Sequence, residues 1–198
     1  MTADGARSPG HEPDADGVAS DMAQDTAHEM RMTGLDDLEG QREIASPADM
    51  EQFGRDIGSR LGAGDVLVLT GPLGAGKTTL TRGIAEALGV RGPIQSPTFV
   101  IARTHPSLVD GPPLVHVDAY RLGSAAELDD LDIDLGGSVV VVEWGAPFAG
   151  AIADTWWELE LDREWHGRGV DTACGTYSQA TLALDADTPR LVTLSRRP

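Results

Sequence analysis

The chain has 198 residues, with 15 Lys and Arg against 32 Asp and Glu and a formal net charge of −17. That length fits one domain plus a tail, and the charge argues against a general nucleic-acid binder, which carries a basic footprint. A single cysteine, Cys174, excludes an intramolecular disulfide and fits a reducing compartment. No apolar run approaches the roughly 20 residues of a membrane span, and the N-terminus lacks the basic and apolar regions of a secretory signal. The expectation is a soluble cytoplasmic protein without membrane association or strong direct nucleic-acid binding.

Residues 1–40 are rich in Asp, Glu, Gly, Ala and Ser and poor in large apolar residues. Such a segment buries too little surface to offset its ordering entropy, so it is predicted to be a disordered acidic tail. Residues 41–198 are predicted to form the folded domain, beginning near Arg42, with Glu43 to Ala45 as a short strand. Ser46-Pro47 reads as a helix N-cap followed by proline at the first helical position. Met50, Phe53, Ile57 and Leu61 then mark one helical face. A Gly62–Asp65 turn leads into Val66–Thr70, an apolar run of strand type.

Next comes Gly71-Pro72-Leu73-Gly74-Ala75-Gly76-Lys77-Thr78-Thr79, which reads G-x-x-x-x-G-K-T, a phosphate-binding loop. Glycine lets the backbone turn tightly and bring its N–H groups against phosphate oxygens. Lys77 supplies a positive charge for the β/γ-phosphates and Thr78 a hydroxyl for Mg²⁺. Lys77 is also the only lysine in the chain. Leu80, Ile84, Ala87 and Leu88 follow at helical spacing, with Gly89 as C-cap. Strand, glycine loop and helix together are the arrangement the motif requires. A helix starting here aims its unpaired N–H groups and positive dipole end at the same anion.

Gly92 to Thr98 reads as a loop, Phe99–Ala102 as a strand, and His105–Pro113 as another loop. Leu114–Asp118 is a strand ending in an acid. Ser124-x-x-Glu127 is a capping box for a short helix carrying Leu128 and Leu131. Val139–Glu143 is the most apolar strand, predicted to be central and parallel, and it too ends in an acid. Trp156–Leu161 alternates as a half-exposed strand does. Thr181–Leu184 and Leu191–Leu194 are predicted to close the sheet as an antiparallel pair. The sum is an α/β P-loop NTPase fold: a mostly parallel sheet, helices on both faces, and an antiparallel C-terminal edge.

Ligands of open α/β sheets sit beyond the carboxyl ends of the strands. Asp118 and Glu143 can therefore point at the pocket of the phosphate loop. Glu143 is the stronger candidate for Mg²⁺, because a carboxylate beside four valines needs a cation to offset desolvation. A loop-capping Asp118 and a salt-bridged Glu143 are the structural alternatives. Thr98 is either a γ-phosphate-sensing loop residue or a turn residue. Trp144 is either core or a neighbour of the nucleotide or of a partner. The five histidines show no ligand spacing, and no structural metal is assigned. Guanine readers of the superfamily use an Asn-Lys-x-Asp segment, which would need a second lysine, so ATP is favoured by elimination.

Four blocks resemble one family in order. They are Gly71–Leu80 with Arg82-Gly83, Ser96-Pro97-Thr98-Phe99, His116–Leu122, and Val142-Glu143-Trp144. Together they are similar to the TsaE (YjeE) family of bacterial ATPases in tRNA threonylcarbamoyladenosine biosynthesis. The resemblance covers roughly residues 42–170. It implies a weak Mg²⁺-dependent ATPase that docks on a TsaB–TsaD pair and lets that complex turn over on the adenosine beside the anticodon. The transfer itself belongs to TsaD.

By position, the resemblance makes Lys77, Asp118 and Glu143 the catalytic group, with Thr78, Glu143 and Asp118 around Mg²⁺. Gly71, Leu73, Gly74, Ala75, Gly76, Lys77, Thr78, Thr79, Thr98 and Trp144 would contact ATP. Arg168 is the candidate for the arginine of the family's late Gly-Arg block. Ala119 stands where the family often has leucine. The competing readings are a small-molecule kinase on the same fold and a non-catalytic, ATP-gated assembly module.

Overall fold

The structure is a computed structural model. It describes residues 33–97, 100–124, 126–127, 131, 133–163 and 188–198. Among these, one sheet holds seven strands: β1 (Gly40–Ile44), β2 (Val66–Thr70), β3 (Ala102–His105), β4 (Leu114–Asp118), β5 (Val139–Glu143), β6 (Trp156–Asp162) and β7 (Arg190–Arg197). Their order is β1-β7-β6-β2-β5-β4-β3. Named helices among the described residues are α1 (Pro47–Gly58), α2 (Lys77–Ala87) and the single-turn α3 (Ala149–Ile152). Two 3-10 helices span Thr33–Leu38 and Ala119–Arg121.

Strands β6, β2, β5 and β4 form a parallel centre, and β3, β7 and β1 are antiparallel additions on both sides. The sheet is therefore less parallel than the sequence suggested. The C-terminal strand is also not the edge: β7 lies between β6 and β1. An antiparallel strand on the rim would leave a row of unpaired N–H and C=O groups, and the short β1 covers that row. Thr181–Leu184, the expected partner of the last strand, lies outside the described residues.

Alternation along the strands divides the core into two layers. Leu67 and Leu69 of β2, Val139 and Val141 of β5, and Leu114 of β4 join the layer under α1 and α2. Val66, Val68, Val115, Val117, Val140 and Val142 face the other way, under the second 3-10 helix and α3. Strands buried on both faces read as continuous apolar runs, which is why β4 and β5 were visible in the sequence. Each such valine or leucine side chain contributes about 1.5–3 kcal/mol by leaving water. In β6 Trp157, Leu159 and Leu161 point into the first layer and Trp156 packs against the second, so that strand alternates. On its other face Glu158 pairs with Arg197 at 2.7 Å.

Helix α1 begins as its sequence requires: Ser46 Oγ accepts the Asp49 N–H at 3.2 Å, and Pro47 follows. Its buried face carries Met50, Phe53 and Ile57. Glycines set its distance from α2. A Cβ on Gly83 would land on the Glu51 carbonyl oxygen, and one on Gly54 on the Leu80 carbonyl oxygen. The two helix backbones thus touch, which pins α2 and the loop at its N-terminus. In α2 the buried positions include Leu80, Ile84 and Ala85, whereas Ala87 is exposed.

Other boundaries also moved. Leu35 and Leu38 are buried in the first layer, and Arg42 Nη2 donates to the Leu38 carbonyl at 2.7 Å. The packed chain therefore starts before Arg42, and residues 33–40 are not part of a disordered tail. Two leucines three apart on a 3-10 turn are a short signal inside an acidic stretch. The strand expected at Phe99–Ala102 begins only at Ala102 and runs through His105. Val100 and Ile101 N–H groups both turn back to the Pro97 carbonyl, and Ile101 has φ of 67°. That left-handed residue ends any extended run. Phe99 and Leu128 lie outside the described residues. Glu127 accepts the Gly123 N–H at 3.3 Å, one residue before the expected cap.

Candidate active site

The same alternation that builds the core also places the acids. Asp118 is in phase with Leu114 and His116, and Glu143 with Val139 and Val141, so all three polar side chains belong to the α1/α2 face. Asp118 and Glu143 are opposite each other in the β4–β5 ladder, and Glu143 is also opposite Leu69 of β2. Strand β2 runs into the glycine loop, so loop and acids meet at one end of the sheet. They border a cleft of about 540 Å³.

The loop is shaped by backbone angles that other residues resist. Gly71, Gly74 and Gly76 have φ of 149°, 76° and 110°. A Cβ on Gly71 would lie 2.5 Å from the Leu161 carbonyl oxygen. Helix α2 starts directly at Lys77, with no side-chain cap at Gly76. Its first-turn N–H groups therefore need an external acceptor, and an anion at the loop is the natural one.

Lys77 is buried beneath the loop. Its Nζ donates to the Gly71 carbonyl at 2.7 Å and to the Pro72 carbonyl at 3.1 Å. Nζ also lies 3.9 Å from the centre of the Trp144 ring. Burial lowers the Lys77 pKa below its ordinary value, while the charges of Glu143 and Asp118 pull it back up. A phosphate would supply the charge and acceptors that the carbonyl oxygens now supply in part.

Thr78 Oγ1 donates to Glu143 Oε1 at 3.0 Å, and His116 Nε2 contacts the same oxygen at 2.9 Å. Asp118 caps the 3-10 helix after it, with Oδ1 accepting the Tyr120 N–H at 3.1 Å. Its Oδ2 accepts from Ser96 Oγ at 3.5 Å. The capping alternative for Asp118 is thus real, and the same carboxylate also lines the cleft. Trp144 is not core. It sits on the cleft with φ of 63°, its N–H on the Leu69 carbonyl at 2.9 Å and its ring 5.5 Å from that of Tyr120. A left-handed tryptophan costs about 1–3 kcal/mol, a strain found mostly where the site needs the geometry.

Ten of the residues singled out in the sequence line this cleft: Leu73 through Thr79, Asp118, Glu143 and Trp144. Gly71 contributes its carbonyl to Lys77. Thr98 and Arg168 lie outside the described residues. Sequence reasoning quoted Ser96, Tyr120 and His116 within the resembling blocks but gave them no task at the site. His116 stands two residues before Asp118 on a strand, and that spacing was the available signal. Beside the loop, Arg163 Nη1 donates to the Leu73 carbonyl at 3.2 Å.

Glycines where a Cβ would clash, a buried ammonium and an acid bonded to the loop threonine fit a nucleotide phosphate with a divalent cation. Among the described residues no group of three or more His, Cys, Asp or Glu side chains forms a metal cage. Mg²⁺ suits such a site, because it takes one or two protein oxygens together with phosphate and water. No helix of the described residues is long and apolar enough to cross a membrane.

Residues 44–170 match the family described as "Threonylcarbamoyl adenosine biosynthesis protein TsaE". A tRNA threonylcarbamoyladenosine biosynthesis protein TsaE of Streptomyces coelicolor is 58% identical over 117 residues, covering 58% of this chain and 79% of that one. The protein of the same name from Mycobacterium tuberculosis is 50% identical over 139 residues, 66% of this chain and 81% of its own. Among solved structures, that of Bacillus subtilis YdiB superimposes with a TM-score of 0.53 at 26% identity, covering 78% of this chain and 82% of that one. With its phosphate loop and strand-end acids inside the matched region, this chain belongs to the TsaE family.

Proposed function

We propose that this protein binds MgATP in the cleft between the glycine loop and Trp144 and hydrolyses it. We propose further that hydrolysis supports repeated turnover of a TsaB–TsaD-type complex making N6-threonylcarbamoyladenosine in tRNA. The observation that carries the first part is the convergence of Lys77, Thr78, Asp118 and Glu143 on one helix N-terminus. Membership of the family carries the second.

Each residue then has a task. The loop N–H groups and the dipole of α2 bind the phosphates. Lys77 leaves the Gly71 and Pro72 carbonyls for the phosphate oxygens. Thr78 and Glu143 hold Mg²⁺, and Asp118 orients water at the edge of that site. Bound Mg²⁺ would supply positive charge to offset that of the phosphates. Trp144 shields the lysine side of the cleft from water, and a dry site strengthens every charge interaction within it.

The test is phosphate release from ATP with Mg²⁺, by the full chain alone and with purified TsaB and TsaD, with Lys77→Ala as control. Stimulation by the partners, lost in the control, is the expected result. ATP binding without stimulation under any partner condition would turn the reading toward a kinase and a search for its phosphoacceptor.

A further inference from the structure

His116 is the one buried polar residue of β4 to which the proposed reaction gives no task. Its side chain is completely buried. Nε2 lies 2.9 Å from Glu143 Oε1, the oxygen that also accepts from Thr78 Oγ1 at 3.0 Å. A carboxylate oxygen can only accept, so Nε2 carries the hydrogen and donates. Nδ1 is buried with no hydrogen-bond partner among the described residues. Packing alone would favour an apolar residue here, since an unpaired buried nitrogen lowers stability. The position is explained by the bond that Nε2 makes.

That bond fixes the carboxylate. Two donors from different elements, α2 and β4, converge on Oε1. They determine the plane of the carboxylate, and no described residue hydrogen-bonds Oε2. We infer that His116 is a positioning residue, which holds Glu143 so that Oε1 stays with Thr78 and Oε2 faces the cleft for a divalent cation. The inference rests on the reading that Thr78 and Glu143 hold Mg²⁺. Residues that orient a metal-binding carboxylate change metal affinity about 10–100-fold when removed.

The experiment measures ATP affinity of the full chain with a fluorescent ATP analogue, in EDTA and across a Mg²⁺ series. It compares wild type, His116→Leu and His116→Gln, with melting temperatures alongside. Gln sets an amide N–H where Nε2 stands; Leu fills the space without a donor. His116→Leu is expected to need about tenfold more Mg²⁺ for half-maximal enhancement of binding while binding normally in EDTA. His116→Gln is expected to stay within about threefold of wild type in the same titration, because its donor is retained. An unchanged Mg²⁺ dependence in His116→Leu overturns the inference and leaves the metal reading standing. Equal losses in both variants, tracking a lowered melting temperature, overturn it in favour of a packing role. A wild type whose ATP affinity ignores Mg²⁺ overturns the metal reading itself, and the inference with it.

Discussion

Lys77 Nζ lies 3.9 Å above the Trp144 ring while it donates to the carbonyls of Gly71 and Pro72. The ammonium is therefore satisfied by three partners that a phosphate must partly replace. A cation over an indole gains about 0.5–2 kcal/mol depending on desolvation. Binding that draws Nζ toward a phosphate must change the surroundings of Trp144.

ATP is accordingly expected to alter tryptophan emission in wild type. Trp144→Phe should lose most of that change while still binding a fluorescent ATP analogue. An undiminished signal in Trp144→Phe would assign it to another tryptophan and remove Trp144 from the nucleotide's vicinity.

The closeness of α1 and α2 yields a stability prediction. Gly83→Ala gains about 1 kcal/mol of helix propensity. Against this, the new methyl falls on the Glu51 carbonyl oxygen, which is backbone and cannot swing aside. Overpacking of this kind costs about 1–3 kcal/mol, so the clash wins. Urea unfolding should show a net loss. A more stable Gly83→Ala protein would mean that the helices stand farther apart, and the rigid seat of the phosphate loop would go with them.

The sequence displayed what depends on neighbours along the chain. The phosphate loop, the Ser46 cap and the fully buried runs Leu114–Asp118 and Val139–Glu143 all follow from local pattern. The position of β7 between β6 and β1 does not, because strand order rests on contacts between residues far apart in sequence. Ile101 hid for a different reason: isoleucine suits strands, yet here its φ of 67° breaks one. His116 was obscured by its type, since a lone histidine in a strand looks like core. Only the β4–β5 pairing shows that its ring reaches Glu143.

His105 gives a pH prediction. Burial lowers its pKa below 6.5; its contact with the Arg91 carbonyl opposes this, and His116 and Arg103 add to the lowering. As pH falls through 6.5, the unfolded chain takes up the proton before the folded one does. Stability contributed by the neutral ring is full above 6.5 and declines as pH falls toward the lower folded value. His105→Asn keeps a donor for the Arg91 carbonyl and cannot titrate. Its denaturation midpoint should therefore decline less than that of wild type on acidification. Parallel curves would mean that His105 is as easily protonated in the folded protein as in the unfolded one.

The most informative substitution is Glu143→Gln. The amide oxygen can still accept from Thr78 and His116, so packing and fold should survive, as melting would report. What is lost is the charge. Glu143 helps to hold the Lys77 pKa up, so in the variant Lys77 should lose its proton more readily. The proposed cation site would also lose its anionic oxygen. ATP should still bind in EDTA, with a weaker gain from Mg²⁺. Phosphate release should fall about 10²–10³-fold, the scale of losing one electrostatic or acid–base contributor. Modification by a TsaB–TsaD-type complex should then stall after early turnovers. If multi-turnover modification continues at the wild-type rate without phosphate release, hydrolysis is not what this protein contributes. A nucleotide-gated assembly role would take its place.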